Sequence, residues 1–111
     1  MPAPPKRDLL PGLLDLLVLK SLTLQPMHGY GIAQYLQQTS RDVIRVQEGS
    51  LYPALQRMRQ KGWITAEWRM TKNNQRARYY TITAAGRKQL GEEQDDFAAL
   101  VAAVQRVLRP A

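Results

Sequence analysis

Side chains suited to reading nucleic-acid bases are concentrated in residues 48–63, EGSLYPALQRMRQKGW. Amide and guanidinium groups form bidentate hydrogen bonds with base edges, and Gln56 and Arg57 supply one of each. At about 100° per residue, the apolar residues of this segment share one helical face and the polar residues lie on the other. Between residues 49 and 62 there is no carboxylate, whereas an ordinary solvated helix mixes both charge signs. The segment is therefore predicted to be an amphipathic helix that contacts a polyanion.

The ends of this helix carry residues with known positional preferences. Ser50 is a candidate N-cap, Pro53 falls in the predicted first turn, and Gly62 ends the helix. Tyr52 is predicted to meet a phosphate or a base edge, with packing on the following hairpin as the alternative. Lys61 would also complement the helix dipole. The candidate recognition residues are Ser50, Tyr52, Pro53, Gln56, Arg57 and Lys61.

A second group of cations lies in a predicted hairpin. Residues 63–70 and 77–83 are rich in β-branched and aromatic side chains, and the polar segment 71–76 contains two consecutive asparagines that tolerate positive φ. Three cations and no acid fall between residues 71 and 78, which favours phosphate contact over a merely solvated turn. The candidate contacts of this hairpin are Lys72, Asn73, Asn74, Arg76 and Arg78.

Two predicted helices come before this unit. Residues 9–24, with Asp8 as a candidate cap, are apolar on nearly the whole circumference, and we expect a second subunit to cover part of them. Residues 28–39 form the second helix, whose start is predicted to present free N–H groups to a phosphate. Residues 43–46 are either a short strand or an extended linker. The candidate contacts at the start of the second helix are His28, Gly29 and Tyr30.

The last predicted helix, residues 84–108, has an apolar stripe. Leu90, Phe97 and Val104 recur every seven residues, a spacing typical of helices that pair with another chain. We therefore expect a homodimer. The predicted dimer seam consists of Leu90, Phe97, Leu100, Val101, Val104 and Leu108.

Charge and composition narrow the function. The chain has 111 residues and a formal net charge of +7, and residues 41–88 hold eleven Lys or Arg against three acids. A basic middle favours a nucleic-acid partner. The sequence contains no cysteine and one histidine, so neither a metal site nor a nucleophile with an adjacent base is predicted, and we expect no enzyme activity and no cofactor. Without a long apolar segment or a signal peptide, a cytoplasmic chain that does not cross a membrane is expected.

The order helix, helix, helix, hairpin predicts a winged helix-turn-helix within a mainly helical α+β fold. The predicted parts are a basic, Pro-rich tail (1–8), a DNA-binding domain (9–86) and a dimerisation helix (87–111). Trp63 and Trp68, five residues apart on one predicted strand, should point to opposite sides, one into the core and one to the surface, where it could also line a ligand site.

Several motifs together resemble the PadR family of bacterial transcriptional regulators. These are GSLYPAL at residues 49–55, GWI at 62–64, RYYTITAAG at 78–86, and HGYGI at 28–32 after a leucine-rich helix. The resemblance implies a homodimeric repressor that binds double-stranded DNA at a palindromic operator. It also implies release by a small-molecule effector in many members. The alternative from the residues alone is a protein-interaction or assembly module that uses the last helix and binds RNA or nucleic acid non-specifically.

Overall fold

A computed structural model of the chain describes residues 11–110. The predicted tail (1–8), the candidate cap Asp8 and the first two leucines of the predicted first helix lie outside the described residues. The described elements form four helices and one three-stranded antiparallel sheet of order β1-β3-β2. In chain order they are α1 (Pro11–Leu22), β1 (Met27–His28), α2 (Gly29–Thr39), α3 (Glu48–Gln60), β2 (Ile64–Met70), β3 (Arg76–Ile82) and α4 (Ala84–Leu108). The predicted winged helix-turn-helix with a long terminal helix is confirmed.

Helix α1 lies at the centre of the fold, and this chain itself covers it. The helix contacts α2, α3, α4 and β3. These four elements together bury most of its described apolar side chains, so these need no second subunit, and cover of α1 by a second subunit stays a prediction. The buried ones are Leu14, Leu16, Val18, Leu19 and Leu22. Leu13 and Leu17 are partly buried against the same core.

Strand β1 and helix α2 meet at His28. The backbone of His28 pairs with Tyr79 of β3, and its Nδ1 accepts a hydrogen bond from the Gly31 N–H at 2.9 Å. His28 is thus the N-cap of α2, a role that Ser, Thr, Asn or Asp usually fills. The sequence did not predict β1, because two residues are too few for a recognisable strand pattern.

Helix α3 begins earlier than predicted. Its N-cap is Gln47, without a side-chain cap bond, and the Gln47 carbonyl accepts from the N–H groups of Ser50 and Leu51. The prediction of Ser50 as the N-cap is therefore wrong, since Ser50 already lies inside the helix. Pro53 also lies beyond the first turn, within the helix. The first hydrogen bonds of α3 are thus made to the Gln47 carbonyl, and the N-cap side chain makes none.

The end of α3 follows the prediction. Gly62 has φ +77°, its N–H donates to the Arg59 carbonyl, and the Trp63 N–H donates to the Met58 carbonyl. This pair of bonds is the Schellman motif, which favours glycine because of the positive φ. The chain is thereby turned directly into β2.

The linker between α2 and α3 contains no strand. Residues 43–46 are irregular, which agrees with the extended-linker alternative. Arg41 and Asp42 have positive φ values of 54° and 66°, and the Ile44 N–H donates to the Ser40 Oγ at 2.9 Å. The Ser40 side chain thus accepts a hydrogen bond from a linker N–H that would otherwise need a neighbouring strand.

Strands β2 and β3 form the predicted hairpin. Their pairing places Ile64 opposite Ile82 and Trp68 opposite Arg78. At the tip, Asn74 adopts φ 63°, as expected for one of the two asparagines, and the Thr71 N–H donates to the Gln75 carbonyl at 2.7 Å. The hairpin is thus held in one register from the core to its basic tip.

Helix α4 is attached to the hairpin through Thr83 and Gly86. The Thr83 Oγ1 accepts from the Gly86 N–H at 3.1 Å and donates to the Gly62 carbonyl at 2.7 Å. A Cβ built on Gly86 would lie 2.1 Å from the Trp63 carbonyl oxygen. Because the atom it would meet belongs to backbone, only glycine allows this close approach of helix and strand.

Gly86→Ala is expected to lower the free energy of unfolding by about 2 kcal/mol or more, since overpacking against backbone forces the elements apart. Gly91→Ala, on the same helix, is the matched control, because a Cβ there meets no atom within 4 Å. That variant should gain up to about 1 kcal/mol from helix propensity. Urea denaturation of both variants measures the difference. Equal stability of the two would contradict the close approach at Gly86.

Candidate nucleic-acid interface

A cleft lies where the start of α2, the outer side of α3 and one face of the hairpin meet. Its volume is about 630 Å³. Among the described residues that line it, aromatic and cationic side chains are frequent and none is acidic. The lining includes His28, Tyr30, Tyr52, Trp68, Arg76, Arg78 and Tyr80. The absence of a carboxylate in this lining suits an anionic partner.

Helix α3 divides into the two faces that its sequence predicts. Leu51, Ala54, Leu55 and Met58 are buried, so they anchor the helix to the core. Gln56 is exposed and its Oε1 accepts a hydrogen bond from the Arg59 Nη1 at 3.2 Å. Pro53 and Lys61 are exposed, and Ser50 is half-buried. The outer face therefore offers an amide and cations to the solvent.

Tyr52 packs against the start of α2. It is 47% exposed, and a Cβ built on Gly29 would lie 3.0 Å from the Tyr52 hydroxyl oxygen. Glycine at position 29 thus leaves room for the tyrosine ring. The arrangement brings Tyr52, Gly29 and Tyr30 together in the cleft. The sequence had placed them in two separate groups of candidate DNA contacts.

Arg57 is predicted to face the solvent, but in the structure its side chain pairs with a residue of another helix. Its Nη2 lies 2.7 Å from the Oδ1 of Asp15 on α1, and Asp15 is 6% exposed. The guanidinium is therefore held by an ion pair that joins the central helix to α3. Sequence reasoning missed Asp15, although one signal was present: it is the single acid in the mainly apolar helix α1.

Burial raises the pKa of the Asp15 carboxyl above its ordinary value of 3.8, although the charge and hydrogen bond of Arg57, and the charge of Lys61, act against this shift. Desolvation of a carboxylate favours its neutral form, and the cation recovers part of that cost. Ionised Asp15 therefore depends on Arg57 for its place in the fold.

The hairpin tip is basic and accessible. Lys72, Asn73, Asn74 and Arg76 are exposed, and Arg78 is half-buried. The Arg76 and Arg78 guanidiniums lie 5.0 and 5.9 Å from the Trp68 ring centroid. Trp68, Arg76 and Arg78 share the hairpin face that borders the cleft.

The start of α2 is only partly as predicted. Tyr30 is 64% exposed, but the Gly31 N–H is not free for a phosphate because it donates to His28 Nδ1. His28 is thus occupied as a cap, and its ring also meets the Tyr79 ring edge-on at 5.1 Å between centroids.

Tyr80 lines the cleft, and the two tryptophans of the chain differ in exposure. Burial raises the pKa of the Tyr80 hydroxyl above its ordinary value of 10.0, so this group remains a hydrogen-bond donor at neutral pH. Trp63 is half-buried against the core, whereas Trp68 is 58% exposed, as predicted for one core and one surface tryptophan.

The predicted dimer seam on α4 divides into a buried and an exposed part. Leu90 is 6% exposed and belongs to the core of this chain, so it serves the fold of one protomer. Phe97, Leu100, Val104 and Leu108 are exposed, and Val101 is half-buried. Helix α4 therefore carries an exposed apolar stripe beyond its first two turns.

Two further kinds of site are absent from residues 11–110. No group of three or more His, Asp or Glu lies close enough to hold a metal ion. None of the helices in this range has the length and apolar character that a membrane span needs.

Comparison with known proteins gives a consistent result. Residues 18–92 match the model of the transcriptional regulator PadR-like family. A PadR-like transcriptional regulator from Bacillus cereus is 26% identical, with a TM-score of 0.76 over 90% of this chain and 95% of that chain. A transcriptional regulator from Thermoplasma acidophilum, described as putative, is 30% identical, with a TM-score of 0.72 over 88% and 90% of the two chains.

A third solved structure is similar in fold alone. A transcriptional regulator from Clostridium thermocellum has a TM-score of 0.81 over 88% of this chain and 95% of that chain, at 21% identity. The helices, hairpin and α4 of this chain thus follow an arrangement found in other regulators.

The ion pair between Asp15 and Arg57 leads to a stability prediction. Arg57→Ala should lower the free energy of unfolding by about 1–3 kcal/mol, less than for a fully buried pair because water reaches Arg57. Arg59→Ala is the control, since Arg59 bonds only to the exposed Gln56 among the described contacts of its side chain, and it should change stability by less than about 0.5 kcal/mol. Equal losses would show that the pair contributes nothing.

Asp15→Asn tests the same pair from its acidic side. Because the folded state raises the pKa of Asp15, its contribution to stability is full below 3.8 and declines as the pH rises through the folded-state value. The stability of the wild type relative to Asp15→Asn should therefore decrease from acidic to neutral pH. Urea denaturation over that range measures the trend, and a rise would contradict the direction of the pKa shift.

Proposed function

This chain belongs to the PadR-like family of transcriptional regulators, which bind DNA rather than catalyse reactions, and on that premise we propose that it is a homodimeric repressor of a palindromic operator. The observation that carries the proposal is the acid-free lining of the cleft between α2, α3 and the hairpin. In this proposal α3 enters the major groove and the hairpin lies along the adjacent phosphates.

The outer face of α3 supports a reading role. Gln56 is exposed one turn beyond Tyr52, and an amide can form two hydrogen bonds with adenine. Ser50, Tyr52, Pro53 and Lys61 would contact the backbone or base edges around it. We assign Arg57 a different role from the one its residue type predicts, because its bond with Asp15 holds α3 against α1.

The hairpin and the start of α2 supply contacts that do not depend on sequence. Lys72, Asn73, Asn74 and Arg76 would meet phosphates at the tip, and Gly29 and Tyr30 would meet them at the α2 end. Such contacts set the register on the duplex. His28 acts in this proposal by capping α2 and keeping Gly29 and Tyr30 in place.

The exposed stripe of α4 supports the dimer. Phe97 is 42% exposed and Leu100 is 59% exposed, which is costly for a chain with no partner on that face. A two-fold pair would cover them and double the number of base pairs that are read. Repression, and release by a small-molecule effector, follow from the family resemblance and are part of the proposal.

Gln56→Ala should weaken binding to the operator by about 1–3 kcal/mol and leave binding to random duplex nearly unchanged, because base-edge contacts carry discrimination. Titration of labelled operator and random duplex at equal salt measures both affinities. The operator is found by selection from a random duplex pool. Equal losses on both duplexes would show that Gln56 contacts only the backbone. Tighter binding to single strands or RNA than to any duplex would contradict the proposed function.

Phe97→Glu combined with Val104→Lys should convert the dimer to a monomer without a change in net charge, because unpaired charges in an apolar seam cost several kcal/mol, about as much as a small dimer can lose. Light scattering measures the mass, and operator binding should fall with it. The matched control is Asp95→Lys with Arg106→Glu, also neutral overall, on the opposite side of α4. A double seam variant that stays dimeric would show that α4 serves another purpose.

A further inference from the structure

One face of the hairpin continues past the hydrophobic core. Because side chains alternate along a strand, Ile64 and Trp68 lie on the same face of β2. Ile64 is 2% exposed, but Trp68 is 58% exposed and Met70 is 56% exposed. We call the outer part of this face the wing face, formed by Trp68, Met70, Arg76 and Arg78. Its large apolar groups lie beyond the reach of the core, so core packing does not account for them.

Arg78 has an unused donor on this face. It lies directly opposite Trp68 in the strand register, and its guanidinium carbon is 5.9 Å from the Trp68 ring centroid. Its Nε is buried and has no hydrogen-bond partner within residues 11–110. A buried donor without a partner is costly, and because this N–H is buried, an anion in the cleft accepts it only when the half-buried Arg78 side chain shifts toward the cleft.

The opposite wall of the cleft completes the surroundings. Tyr30 and Tyr52 extend from the two helices, and Tyr80 of β3 lines the same cleft. The lining thus combines guanidiniums and phenol groups with an exposed indole, and the described lining residues include no acid. A ligand in which anionic and apolar groups alternate would match this combination.

We propose that the cleft holds one sugar–phosphate unit of the DNA backbone, with the phosphate on Arg78 and the deoxyribose against Trp68. The inference rests on the proposed function and adds Trp68 as a contact residue. These two residues of the wing face match the two parts of a backbone unit, because the phosphate is a charged acceptor for a guanidinium and the sugar offers C–H groups that pack on an aromatic ring.

The exposure of the lining favours a polymer over a free small anion. Sites for small molecules enclose most of the ligand surface, whereas Tyr30 and Trp68 keep 64% and 58% of their surface exposed. The cleft also borders the outer face of α3 through Tyr52 and the hairpin tip through Asn73. An extended backbone can therefore pass from the tip across the cleft to α3.

Binding titrations at several salt concentrations test the contact. Arg78→Gln should reduce the slope of log affinity against log salt by about 0.9 per subunit, as expected for one lost phosphate contact. Trp68→Leu should weaken operator and random duplex alike, by about fivefold or more, the lower range for aromatic contacts with nucleic acid. The control is Arg69→Gln, which removes the same charge from the opposite face of the hairpin, where Arg69 pairs with Glu67; it should leave the slope closer to that of the wild type.

A spectroscopic measurement locates the contact without relying on affinity. In a Trp63→Phe background Trp68 is the remaining tryptophan, and its fluorescence should change on addition of duplex. Replacing single operator phosphates with neutral methylphosphonate should identify one position per half-site that weakens the wild type but not Arg78→Gln.

The outcomes separate this inference from the proposed function. Suppose that the wild type binds its operator and both Arg78→Gln and Trp68→Leu keep the wild-type slope and affinity. The proposed backbone contact is then wrong, but the proposed DNA-binding function is unaffected. If the wild type binds no duplex, the proposed function fails. If a deoxynucleoside monophosphate saturates the Trp68 signal and duplex leaves it unchanged, the cleft takes a free anion and the inference is overturned.

Discussion

The rest of the structure depends on the burial of α1. Its leucines require cover on nearly every side, and each fully buried leucine contributes about 1.5–3 kcal/mol. Helices α2, α3 and α4 and strand β3 supply that cover, so their positions relative to one another follow from one shared partner. The outer face of α3 and the hairpin are the parts of this arrangement that remain available for other contacts.

Asp15 adds direction to this apolar packing. Hydrophobic contacts between α1 and α3 tolerate small rotations of α3, because they are not directional. The ion pair with Arg57, at 2.7 Å, has one geometry and limits that freedom. Residue type alone assigns Arg57 to DNA, yet in the fold it pairs with Asp15 and helps the buried apolar face to fix which residues of α3 face outward. Gln56 and Tyr52 are among the residues that remain on that side.

The hairpin joins the core to the candidate interface in a similar way. Its face is apolar at Ile64 and Ile82 and becomes cationic and aromatic at Trp68 and Arg78, within the same pair of strands. The buried inner end therefore sets the position of the outer end. Gly86 contributes to this packing, because the close approach of α4 to the Trp63 carbonyl leaves no room for a side chain.

The sequence by itself determined the elements whose signals are local. Helix α4 was predicted at Ala84–Leu108, as found, because its apolar repeat is long, and the hairpin strands were within one residue because turn asparagines and β-branched residues mark them. The glycine end of α3 was equally clear. Tertiary structure decided the contacts between distant residues: Asp15 with Arg57, 42 positions apart, β1 with β3, and Leu90 with the core. Residue type and spacing describe what a side chain can bind, but which partner lies within reach depends on how the elements pack.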